Sequence, residues 1–555
     1  MKQSSSFSIL EREQTISCLR EEVFDVIVIG GGITGSGIAL DAISRGLKVA
    51  MVDRKDFASG TSSRSGKLIH GGLKYLQNYD FSVVKETGSE REIVYNNALH
   101  LVYPIKMNFP LIKKESYNLF TLKVGLTLYD RLAGVKKDER HKIYGKKKTL
   151  QNEPLFNENT VKGSGVYVEY RTDDSRLTME VAKTASAKGA VIINYAEMTE
   201  FLKSEEGKLS GILVKDHING TTFSIYGKHI VNAAGPWVDI VRKKDRPISG
   251  KYMILAKGIH IVFDREALPV QSSIYFQHKG RMIAVIPVGN RTYVGSTESL
   301  YEEDMDDIQV NLSEVNYLLG CLKDMFPSIQ LSVDDILSSW AGIRPLIGEN
   351  GKSPAELSRH DEIFESDSGL ITIAGGKLTG YRKMAERVMQ YIQKKNNQAQ
   401  TPSKTDQLKL TGSHFYSERD LLNYVDTLSR QYQNLGLTDE EINRYVFRYG
   451  SNTEILLATI SSFQHITDKE QRNIVGELTY TVNHEMVSSL SDFYDRRTSY
   501  LLFDLEKVKR TLDVVTTELA TILNWTEEKT LEEKRFMQYL INKALSFKEG
   551  VTKRD

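Results

Sequence analysis

Apolar and polar positions along the chain fall into three regimes. Residues 23–29, Val-Phe-Asp-Val-Ile-Val-Ile, are a β-branched run bounded by glycine, which predicts a buried parallel strand. A helix follows to about Arg45 and stops at Gly46, and Lys48 to Asp53 reads as a second short strand. Strand, glycine turn, helix and strand make one βαβ unit. In residues 172–189, Leu177, Val181 and Ala185 recur at helical spacing, with Asp174 or Ser175 as cap and Gly189 as stop. Extended runs at 209–215 and 221–225 flank Asn219-Gly220, which predicts a hairpin. Residues 251–300 alternate apolar and polar through three strand-like runs. Leu370 to Ala374 is another buried strand, entering Gly375-Gly376 with a helix from about Leu378. From about residue 400 helix-forming residues dominate and glycine thins out, which predicts a separate helical domain. Residues 1–20 are weakly helical and could lie on the body of the protein.

The first turn carries chemistry. Gly30-x-Gly32-x-x-Gly35 lies between the predicted strand and helix. Gly30 permits the tight turn, Gly32 lets a pyrophosphate approach the backbone, and Gly35 lets helix and strand pack closely. The helix N-terminus offers unpaired N–H groups and partial positive charge to the phosphates. Asp53 ends the next strand, where a carboxylate accepts ribose hydroxyls and repels a 2′-phosphate. This unit alone does not choose between NAD and FAD. The following stretch, Asp56 to Gly72, is dense in hydroxyls and glycine. Thr61, Ser62, Ser63, Lys67 and Leu68 are its candidate cofactor contacts, with donors for a second phosphate and a ribityl chain, and it favours FAD. Gly235, Gly375, Gly376 and Thr379 lie in later small-residue segments that permit close backbone approach.

Composition narrows the class. A chain of 555 residues predicts two or three domains. With 73 basic and 72 acidic residues the net charge is +1, so no bulk field draws the chain to nucleic acid. Lys146-Lys147-Lys148 reads as a solvated loop. Cys18 and Cys321 are too few for a disulfide framework and lack metal-ligand spacing, which suits a reducing, cytosolic compartment and no bound metal. The longest near-apolar stretch, Val26 to Leu40, has 15 residues, short of the ~20 a spanning helix needs. Peripheral attachment to a membrane stays open.

Ile29 to Gly35, Gly60 to Gly72, Ala234 to Trp237, Trp340 to Leu346 and Gly375 to Glu386 together resemble the FAD-dependent glycerol-3-phosphate dehydrogenases. The resemblance extends to Asp495-Arg496-Arg497-Thr498 in the helical region. It implies an α/β fold with three parts. The first is a discontinuous glutathione-reductase-like FAD-binding domain at 21–75, 160–250 and 336–395. A mixed-sheet substrate domain is expected at 76–159 and 251–335, and an all-α C-terminal domain at 400–555. The implied reaction is oxidation of sn-glycerol 3-phosphate to dihydroxyacetone phosphate, with electrons passing from FAD to a membrane quinone. The implied place is the cytoplasm, peripheral on the inner face of the cell membrane, with a homodimer as one possible assembly. A related oxidase uses O2 and makes H2O2, and commonly carries an insertion after the Trp-Ala-Gly-Leu-Arg-Pro-Leu segment. Here Arg344-Pro345-Leu346 reaches Ser358-Arg359 in a short loop, which favours the dehydrogenase. An amine oxidase, a tRNA-modifying flavoprotein and a non-catalytic FAD scaffold are the remaining alternatives.

Oxidising a secondary alcohol requires a hydride acceptor, a base for the hydroxyl proton and cations for the phosphate dianion. His70, after the hydroxyl loop, and His260, in Lys257-Gly258-Ile259-His260, are the candidate bases, with the choice between them open. Candidate cations and contacts for the substrate are Lys74, Tyr75, Arg281, Arg344 and Lys377, and the forked Arg344 guanidinium suits phosphate. Two departures from the family stand out. Gly71-Gly72-Leu73-Lys74-Tyr75-Leu76 carries lysine where the family usually has arginine, and Ser296-Thr297-Glu298 replaces a usual Thr-Thr-Asp.

Overall fold

The computed structural model describes residues 7–73, 80–113, 118–349 and 361–549. Val23–Ile29 is a strand, buried along nearly its whole length, and lies parallel to Val49–Val52 on one side and Thr222–Asn232 on the other. Val191–Ile193 and Leu370–Ala374 extend this parallel core outward, and Glu362–Glu365 closes one edge antiparallel. The Asn219-Gly220 turn joins Leu209–Asp216 to Thr222–Asn232 as the predicted hairpin. Helix Ile33–Ser44 is almost wholly buried, because it packs between the sheet and the helices Asp174–Ala187 and Tyr381–Lys395. The N-cap of Asp174–Ala187 is Asp173, one residue before the predicted caps, and its side chain accepts from the Arg176 amide.

Among the described residues, ten strands form a second sheet. Its spine is Lys251–Asp264 paired antiparallel along its length with Ile336–Glu349. Val161–Thr172 pairs with Val102–Ile112 in the same sheet. Strands 161–172 and 336–349 belong to the second sheet, and the bounds drawn from sequence place both in the FAD-binding domain. An apolar run carries the same pattern whichever sheet it joins; its partner is set by tertiary pairing. Lys146, Lys147 and Lys148 are exposed as expected, but they open a short helix, Lys146–Asn152, rather than a loop.

The helical region begins in earnest at Glu418–Gln431 and runs to Glu527–Lys543. Its long helix Leu505–Leu523 buries Val508, Leu512, Val515 and Leu519, an i, i+4 and i+3 series on one face. The N-terminal helix Arg12–Glu21 is tied to the body by a buried ion pair, Arg12–Asp216, at 2.7 Å. Among the described residues, no helix is long and apolar enough to cross a membrane, and no cluster of His, Cys, Asp and Glu is arranged to hold a metal.

Candidate active site

The predicted glycine turn opens onto a cavity of about 540 Å³, in the range of small-molecule and cofactor sites. Gly30 has φ +112°, and a Cβ there would lie 2.7 Å from the Ala233 carbonyl oxygen, so the turn excludes any larger residue. Gly35 packs against the Gly30 carbonyl with no room for a side chain. The Ile33 amide, at the helix N-terminus, donates to Ser62 Oγ at 3.0 Å, which brings the hydroxyl loop against the positive end of the helix.

Asp53 lines the cavity, and its carboxylate accepts from the Gly31 amide at 2.6 Å and the Lys55 amide at 2.8 Å. Burial raises its pKa to about 6, with neighbouring Asp56 adding to the rise, while those two amides and Arg54 oppose it. Thr61, Ser62, Gly235, Gly375, Gly376 and Lys377 also line the cavity. Thr61 Oγ1 donates to the Ile343 carbonyl at 2.6 Å, which joins the hydroxyl loop to the strand that carries Arg344. A glycine-lined cradle, a buried carboxylate and a hydroxyl-rich wall suit the pyrophosphate, ribose and polyol parts of FAD.

The candidate chemical groups gather at one end of this arrangement. His260 is buried and stacks on Trp340, with ring centroids 4.8 Å apart and planes 13° from parallel. Its Nδ1 has no hydrogen-bond partner among the described residues. Burial, Arg344 and Lys67 lower its pKa to about 3. His70 is also lowered to about 3, by burial and then by Lys377, Arg91 and Arg344. Both histidines are therefore neutral, and Arg344 is the cation common to both. Arg344 itself is aimed by the departure segment: it donates to Ser296 Oγ at 2.6 Å and to the Thr297 carbonyl at 3.4 Å.

The turn that follows His70 is pinned from below. The Gly71 amide donates to buried Glu169 at 2.9 Å, and Tyr129 donates to the same carboxylate at 2.9 Å. Arg91 pairs with Glu169 at 3.6 Å. Thr379 Oγ1 donates to the His70 carbonyl at 3.3 Å, so the segment after Gly375-Gly376 holds the histidine from the other side. Thr379 is thus a support for His70 and is not among the cavity-lining residues.

The remaining candidates are held by other partners. Lys67 is buried with its ammonium on Asp174 at 2.5 Å, a partner that no local pattern announces. Ser63 is buried below the loop, its hydroxyl toward the Gly60 carbonyl, and Leu68 pairs with Arg171 in the second sheet. Arg281 is exposed at a hairpin end with its guanidinium 5.6 Å from the Tyr317 ring, apart from the gathered groups. Lys74 and Tyr75 fall outside the described residues.

Sequence reasoning also passed over a whole wall. Asp495, Arg496, Leu501, Leu502, Phe536 and Leu540, all from the helical region, line the same cavity. The three consecutive charges Asp495-Arg496-Arg497, set between Phe493-Tyr494 and Tyr500-Leu501-Leu502, were the available signal.

Residues 25–382 match the family described as FAD dependent oxidoreductase, and residues 403–530 match the C-terminal domain of alpha-glycerophosphate oxidase. An aerobic glycerol-3-phosphate dehydrogenase of Bacillus subtilis is 41% identical, with 97% of this chain and 98% of that protein aligned. One from Staphylococcus haemolyticus is 43% identical over the same shares. The solved structure of the Bacillus halodurans glycerol-3-phosphate dehydrogenase complexed with FAD superposes with a TM-score of 0.84 at 38% identity, covering 97% of this chain and 98% of that one. An L-alpha-glycerophosphate oxidase from Mycoplasma pneumoniae with FAD bound shares the fold at a TM-score of 0.56 and 21% identity, over 69% of this chain and 97% of its own. A cavity built for FAD and likeness along nearly the whole chain place this protein in the family of FAD-dependent, aerobic-type glycerol-3-phosphate dehydrogenases.

Proposed function

We propose that this FAD-dependent oxidoreductase converts sn-glycerol 3-phosphate to dihydroxyacetone phosphate, with a membrane quinone as the second substrate. The carrying observation is the pairing of two neutral histidines with the shared cation Arg344 and with Lys377. A proton acceptor has to be neutral before it acts, and a phosphate dianion needs fixed positive charge. FAD, when bound, supplies the hydride acceptor. Arg344 and Lys377 bind the phosphate and orient the secondary alcohol. His260 or His70 receives the hydroxyl proton at a ring nitrogen. Burial keeps the histidines neutral first and the nearby cations add to it; the dianion offsets the cations' share, so substrate binding raises the basicity of the acceptor.

Dehydrogenase rather than oxidase chemistry rests on the short passage from Arg344 to Ser358. Peripheral attachment to the inner face of the cell membrane draws support from helix Leu119–Leu132. It leaves Phe120 75% and Val124 52% exposed, one turn apart. Its first residue, Leu119, and the Tyr144 carbonyl both flank Gly163, so the exposed run Lys146-Lys147-Lys148 begins in the same neighbourhood. Apolar side chains beside lysines suit an anionic bilayer surface.

Anaerobic addition of glycerol 3-phosphate to the purified holoenzyme tests the substrate. The flavin absorbance should bleach, and a spectrum left unchanged rules the reading out. Turnover with a quinone analogue should then exceed H2O2 release; the reverse order assigns the oxidase activity instead.

A further inference from the structure

The helical region grips the FAD loop at both of its ends. The loop follows the first sheet's strand Val49–Val52 and leads to Leu68–Ile69 of the second sheet; between Asp56 and Arg64, its residues Ser59, Gly60, Thr61 and Ser62 line the cavity. Asp56 is fully buried. Its carboxylate accepts from Arg496 Nε at 2.6 Å and from both terminal nitrogens of Arg497, at 2.7 and 2.9 Å. At the other end, Arg64 donates to Asp495 at 2.5 Å. Arg496 bridges the two grips, because it also donates to Asp495 at 3.1 Å.

The three gripping residues are consecutive, and they sit in one π-helical turn, Asp492–Arg497, whose six residues are all buried. A π turn carries more residues per revolution than an α turn, and such turns recur at functional sites. This one is itself fixed: Arg496 donates to Asp492 at 2.6 Å, and Arg497 donates to the Glu485 carbonyl at 2.7 Å. Tyr195, from the first sheet's side, donates to Asp492 at 2.6 Å.

We infer that the Asp495-Arg496-Arg497 turn is a positioning device for FAD: it sets the shape of the Asp56–Arg64 loop from outside the FAD-binding domain. Loop hydroxyls can meet a cofactor only where the loop ends hold them. A charge-assisted pair at each end makes that placement stiff, and removal of one partner leaves a buried charge uncompensated. The helical region is thereby part of the cofactor site rather than an appendage.

The test is FAD release from the holoenzyme, followed by recovery of flavin fluorescence on dilution, in Arg64→Gln, Asp495→Asn and the double variant. Arg64 is the milder site, since its side chain is 21% exposed. Each single change should speed release about ten- to a hundredfold, the value of one charge-assisted hydrogen bond. The double variant should release no faster than the quicker single one, because both remove the same pair. Asp495→Glu should restore part of the retention. The Arg64→Gln holoenzyme with excess FAD should still melt in one cooperative step, which separates loss of the grip from loss of the fold. Release at the parent rate in Arg64→Gln, or fully multiplicative effects in the double variant, would overturn the inference.

Discussion

The neutral histidines give a prediction with a worked magnitude. A histidine in an unfolded chain titrates near 6.5, whereas folding lowers His260 and His70 each to about 3. A group lowered by folding contributes stability above its unfolded pKa, and that contribution is lost as the pH falls from about 6.5 toward 3. At pH 7.5 nearly all of it is present. At pH 5 the unfolded histidine is mostly protonated and the folded one is not, which costs about 2 kcal/mol for each residue. His260→Asn removes one of these groups. Its stability difference between pH 7.5 and pH 5 should therefore be smaller than the parent's by about 2 kcal/mol, and that of His70→Asn by a similar amount. Urea unfolding followed by tryptophan fluorescence at the two pH values measures this, and every other titrating group cancels in the comparison with the parent. The reasoning fails if His260→Asn and the parent lose the same stability on acidification. In that case the ring is not held neutral by burial and Arg344, and the acceptor assignment loses its electrostatic basis.

Two further outcomes follow from the same geometry. Arg344→Lys keeps the charge but loses the fork that joins Ser296 to the substrate side, so kcat/KM for glycerol 3-phosphate should fall about ten- to a hundredfold, mainly through KM, while FAD content stays full. Phe120→Ser with Val124→Ser should weaken co-sedimentation with phosphatidylglycerol vesicles and leave turnover with a soluble acceptor unchanged; equal co-sedimentation would move the attachment surface elsewhere.

The chain alone determined the cofactor class. Gly30, Gly32, Gly35 and Asp53 are local: their roles depend on backbone close approach and on one strand–turn–helix–strand unit, and each lies where that unit needs it. The strands at 23–29 and 370–374 were equally legible, because burial on both faces leaves an unbroken apolar run. What joined distant segments was not legible. Lys67 resembled a cofactor contact until Asp174, over one hundred positions away, claimed its charge. The bounds drawn from sequence put the strand carrying Arg344 in the FAD-binding domain, and its pattern does not name its partner; pairing with Lys251–Asp264 sets it in the second sheet. The clamp on Asp56 and Arg64 depends on five ion-paired side chains from opposite ends of the chain. A charge seeks whatever opposite charge the fold brings within reach, and sequence separation carries no record of that distance. The turn at Gly30 was therefore fixed by its own residues, whereas the loop that completes the cavity owes its shape to a helical region more than four hundred residues downstream.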